Sequence, residues 1–139
     1  MNERAEARPS IEPGTSEVPA SPLLRIVALA QALYYIPTGI WALVSIDTFQ
    51  KVTGPKTDLW LVKTVGLLIT VVGAALTMAG VRRRMGPELP LLGIGSAAAL
   101  TTIDVVYVAR RRISPIYLLD ALGEVLLIGG WIVALRGRR

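Results

Sequence analysis

The chain has 139 residues, 53% hydrophobic and only 18% charged, with no cysteine and no histidine. Length bounds it to one domain, and apolar residues gathered in long blocks exclude an ordinary soluble fold of this size. Without thiols or imidazoles, disulfides, thiol redox chemistry, cysteine nucleophiles, axial haem histidines and the usual zinc sites are excluded too. The net charge of +5 does not point to nucleic acid, because the arginines cluster at the ends of apolar blocks: Arg82 to Arg84, Arg110 to Arg112, and Arg136, Arg138 and Arg139. That placement suits lipid headgroups and topology signals.

In chain order, residues 1–21 mix Glu, Arg, Pro and Ser with no apolar block. Such a composition cannot bury enough surface to offset chain entropy, so a disordered polar tail is expected there. The basic start, apolar core and cleavage site of a secretory signal are missing from this stretch, so the first helix is expected to be retained. The four-helix transmembrane domain is expected over 22–139, with helices at about 22–45, 59–81, 91–109 and 114–135. Ser21 and Pro22 suit the start of the first helix, and Pro37 predicts a kink within it. Residues 46–57 are read as a connection, with a turn at 53–56, and Met85 to Pro90 as a short turn. The links are short, so neighbouring helices run antiparallel. The fold class is therefore all-α: an antiparallel bundle of four transmembrane helices behind a disordered N-terminal tail.

Each helix carries a seam at coiled-coil spacing. The second reads Lys63, Gly66, Thr70, Gly73, Thr77, Gly80, small residues that let helices approach closely in lipid. The seam favours Lys63 as a buried counter-ion facing the bundle, with snorkelling to the nearby headgroups as the alternative. On the third helix the seam is Gly93, Ala97, Leu100, Asp104, Tyr107, with Thr101 one turn before Asp104 and placed to bond to it. The fourth reads Tyr117, Asp120, Glu124, Leu127, Trp131, and the first Ala28, Gln31, Tyr35, Thr38, Ala42, Ser45.

A carboxylate near the centre of a spanning helix costs roughly 2.5–3.5 kcal/mol on insertion scales, so it faces protein or water and has a role. At about 1.5 Å per residue, Lys63, Asp104 and Asp120 fall at one level, with Glu124 one turn deeper and Tyr35 and Gln31 near the midplane. These six residues form the candidate site for ligand binding or proton relay. Asp120 and Glu124 lie four residues apart on one helix face, so at least one of them is expected to be protonated at neutral pH or to titrate with the other as a coupled pair. Nine lysines and arginines on the side of the termini against five on the other favour cytoplasmic termini, and an inner bacterial membrane is the expected location. No catalytic residue, metal or cofactor is assigned.

Phe49 to Gly66, reading FQKVTGPKTDLWLVKTVG, resembles a stretch found in small bacterial integral membrane proteins with four helices. In overall layout the chain is also similar to DoxX-like membrane proteins. The resemblance implies the fold and the membrane location; a quinone or sulfur-redox role would follow from layout alone, and architecture does not establish function. Two functional expectations stand side by side: proton-linked or polar-ligand binding or transport at the cluster, and a non-catalytic accessory or assembly subunit whose polar seam only fixes packing. An enzyme acting on a lipid-soluble substrate ranks third. The expected partners are the bilayer and, because four short helices enclose little volume, a second copy or a membrane partner subunit.

Overall fold

A computed structural model describes residues 18–137. The expected disordered tail falls almost wholly outside these residues. The described chain is all-helical apart from one small strand pair, and four of its helices are long and apolar enough to cross a membrane: α1 (Pro22–Val44), α3 (Leu59–Arg82), α4 (Glu88–Ala109) and α5 (Tyr117–Arg136). Ser21 caps α1 by accepting from the Leu24 amide, and α1 runs through Pro37 without a break.

Three local features differ from the sequence expectation. The first connection contains a fifth helix, α2 (Ile46–Thr53), with Phe49 buried and Asp47 and Lys51 exposed. Its eight residues are too short to stand out by period. Next, β1 (Val18–Pro19), at the end of the tail expected to be disordered, pairs antiparallel with β2 (Arg84–Met85), which runs into the expected turn. Arg83 enters the left-handed region at φ 60, and its carbonyl accepts from the Ala20 amide at 2.9 Å. Finally, α4 begins at Glu88 rather than at 91, while α5 begins at Tyr117 rather than at 114. Residues 114–116 form turns instead, closed by the Tyr117 amide on the Ser114 carbonyl at 3.1 Å.

The helices associate as two pairs. α1 packs along the length of α3, α4 packs on α5, and the pairs meet chiefly through α1 against α5, whereas α3 and α4 barely touch. The hydrophobic core lies toward the Pro22 end of α1, where Leu24, Ala28, Leu76, Met85, Trp131 and Ala134 are buried together. The outward faces of all four long helices expose large apolar residues such as Leu33, Leu68, Leu91 and Leu126, as a lipid-facing surface requires.

Candidate functional site

The small-residue seam of α3 does what its spacing implies, and it does so against α1. Gly66 and Gly73 are buried there, and a Cβ added at Gly39 of α1 would collide with the Thr70 hydroxyl and the Gly66 carbonyl. Added at Gly73, it would come within 2.7 Å of Ile36. From the adjoining face of α1, Gln31, Tyr34 and Tyr35 reach α4 and α5, although the Cβ of Tyr35 still lies beside Gly73 of α3.

From that face a ladder of hydrogen bonds runs along the bundle. At its inner end the Trp131 indole N–H donates to Gln31 Oε1 at 2.7 Å, and Gln31 Nε2 donates to the Gly93 carbonyl at 2.9 Å and to Ser96 Oγ at 3.4 Å. The Tyr35 hydroxyl lies 3.3 Å from Ser96 Oγ and donates to Glu124 Oε2 at 3.0 Å. One turn farther out, Tyr34 donates to Asp120 Oδ1, and Asp120 neighbours Asp104 across the α4–α5 interface. Gln31, Tyr35, Asp104 and Glu124 are all buried.

Satisfaction of these groups is uneven. Gln31 and the Trp131 N–H have partners on every side, and Trp131 seats so closely on Gly93 that a Cβ there would meet the indole at 2.6 Å. By contrast, Asp104 Oδ2, Glu124 Oε1 and Thr101 Oγ1 are buried with no hydrogen-bond partner among the described residues. Thr101 therefore does not make the expected bond to Asp104. An unsatisfied buried polar group costs about 1–3 kcal/mol, and more when charged, so these orphans are concentrated where packing alone would not put them.

All three carboxyl residues line one cavity of about 270 Å³, together with Tyr34, Tyr35 and Tyr117. Its remaining wall is mostly apolar, and among the described residues no lysine or arginine lines it. Leu61, Val65 and Ile103 belong both to this wall and to the outer surface, at 48%, 40% and 52% exposure. The cavity thus reaches the apolar outer surface of the bundle at the gap between α3 and α4, its mouth.

Comparison with protein-family models, with curated proteins and with solved structures returned no match to this chain.

Of the six residues read from sequence, five are brought together and one is not. Lys63 is exposed and does not line the cavity. The reading of Lys63 as a buried counter-ion is corrected: the seam it begins is the contact surface with α1, and at one turn from the start of α3 the long side chain reaches the exterior more cheaply than the core. Asp120 and Glu124 share a helix face, but each takes its own tyrosine, and the closer carboxyl neighbour of Asp120 is Asp104.

Sequence reasoning missed Tyr34, Ser96 and Lys56. Tyr34 lies off the seam by one position, and Ser96 could be any small helical residue. Lys56 sits in a loop whose path is not encoded locally. Its Nζ donates to the carbonyls of Thr53 and Gly54 at 2.9 and 3.2 Å and stands 4.9 Å from the centre of the Tyr117 ring. Gly54, at φ 87, makes the turn that brings this loop over the α5 start. With Phe49 of α2 in the cavity wall, held edge-on to Trp41 at 5.4 Å, the loop and α2 cover the end of the cavity away from Pro22.

Proposed function

We propose that the protein is a small membrane-embedded binding protein that holds a polar-headed, lipid-soluble small molecule at Asp104, Asp120 and Glu124, with proton exchange at the carboxyl oxygens. The observation that carries this reading is a cavity reaching buried carboxyl groups, two of which keep an oxygen with no partner. Polar groups that merely fix packing satisfy one another, as Gln31, Ser96 and Trp131 do at the inner end of the ladder.

A proton wire across the membrane is the weaker version of the same idea. The ladder ends on the Trp131 N–H, which donates and cannot accept, so a proton has no onward step. Carriage across the bilayer would require a second copy or a partner subunit to complete the path. The termini are placed on the cytoplasmic side of a bacterial inner membrane, on the strength of the nine-to-five distribution of basic residues.

The test is mass spectrometry of the full chain purified with its native lipids. A co-purifying small molecule is expected in the wild type and in Trp131→Phe, and its loss is expected in Asp120→Asn and Glu124→Gln. The same small-molecule profile in all four proteins, with the carboxyl variants more resistant to unfolding, would establish the accessory-subunit reading instead.

A further inference from the structure

The chemistry of the cavity narrows the class of ligand. Three carboxyl groups face one apolar space, and no basic side chain among the lining residues balances them. The lysine at the right depth points outward, and Lys56 is occupied by two backbone carbonyls. Charge balance in such a site comes from protons or from a cation that arrives with the ligand. Among the described residues, the carboxyl oxygens without a hydrogen-bond donor are Asp104 Oδ2, in the side chain that neighbours Asp120, and Glu124 Oε1, both in side chains more than nine-tenths buried. An ionised carboxylate oxygen accepts only, so these atoms call for donors.

The remainder of the wall describes the rest of the molecule. Tyr34, Tyr35 and Tyr117 present aromatic groups near the carboxyls, the surroundings that favour a cation, and Leu61, Val65 and Ile103 lead from them to the lipid-facing mouth. A volume of about 270 Å³ holds a head group and the first part of a tail.

Resting on the binding role proposed above, we infer that the ligand is an amphiphilic primary ammonium ion which enters sideways from the bilayer between α3 and α4, its N–H groups donating to Asp104 and Glu124 and its tail lying toward Val65 and Ile103. Each cation bound replaces one carboxyl proton, which leaves to water. The charge of the site is then unchanged.

The experiment uses the full chain in phosphatidylcholine nanodiscs, with dodecylammonium, dodecyltrimethylammonium, dodecanol and dodecanoate as probes and empty nanodiscs subtracted. Dodecylammonium is expected to bind saturably, at least about tenfold tighter than the other three, because charge-assisted N–H donation is roughly twice as strong as a neutral hydrogen bond. Binding is expected to release a proton and to weaken about tenfold or more in Asp104→Asn and in Glu124→Gln. Ile103→Trp changes an exposed position at the mouth, so it is expected to weaken binding several-fold while leaving the unfolding midpoint unchanged. Equal binding of dodecanol would overturn the ammonium assignment and leave a neutral-donor ligand for the same site. Equal binding of the quaternary probe would overturn the donor contacts. Saturable ammonium binding unaffected by Ile103→Trp would overturn sideways access. Failure of all four probes would overturn the inference, and the binding role itself falls only if the native-lipid purification also shows no carboxyl-dependent molecule.

Discussion

At the scale of single residues, the ladder separates groups that hold the bundle from groups that stand ready for a partner. Trp131 and Gln31 belong to the first kind. Trp131→Phe removes the donor to Gln31 Oε1 and the volume seated on Gly93, so a loss of about 1–3 kcal/mol is expected, read as a lower unfolding midpoint in detergent. No change in midpoint would show that the contact does not stabilise the bundle. Lys56 offers a pH-dependent marker of the loop over the cavity. Partial burial holds its amine below the usual lysine value of 10.5. In the interval between the lowered value and 10.5 the unfolded chain binds more protons than the folded one, so the contribution of Lys56 to stability rises with pH through that window. Carbon NMR of unmodified, isotope-labelled lysines, followed at Cε, is expected to give Lys56 a midpoint below 10.5, and a midpoint at or above it would refute the burial.

Among the helices, α1 is the shared element. One of its faces, through Gly39, meets α3 so closely that side chains are excluded, and another carries the tyrosines and Gln31 to α4 and α5. Gly39→Ala is therefore expected to separate α1 from α3 and to cost about 1–3 kcal/mol, the usual penalty of overpacking. Gly95 has nothing within 4 Å of an added Cβ, so Gly95→Ala is expected to be neutral or to stabilise by up to about 1 kcal/mol through helix propensity. Unfolding midpoints of the two variants check the contrast, and equal effects would mean that the close approach is not what holds the pair. The seams of α1, α3, α4 and α5 were legible because small and polar residues recurring at helical spacing have few other uses in lipid. Which seam meets which was not, because spacing states a face and not its partner. That is why spacing groups Lys63 with the acids, whereas its seam meets α1.

For the molecule as a whole, the long helices and their approximate ends followed from hydropathy and length, whereas α2, the strand pair and the sideways mouth arise from contacts between distant parts of the chain. The mouth makes a direct prediction. The chain has no cysteine, so single cysteines can be labelled without background. Spin labels at Val65→Cys and Ile103→Cys in vesicles are expected to collide more often with oxygen, which concentrates in lipid, than with a water-soluble nickel complex. The reverse order would mean that the cavity opens to water. The pairing of helices carries a consequence for how the protein is made. All three acids of the site lie on α4 and α5, while the tyrosine hydroxyls that receive two of them are on α1. During synthesis the first pair can insert and zip up by its glycines before the second emerges. The second pair then brings Asp120 and Glu124 to donors already in place, an order in which two of the three costly residues need not face lipid alone.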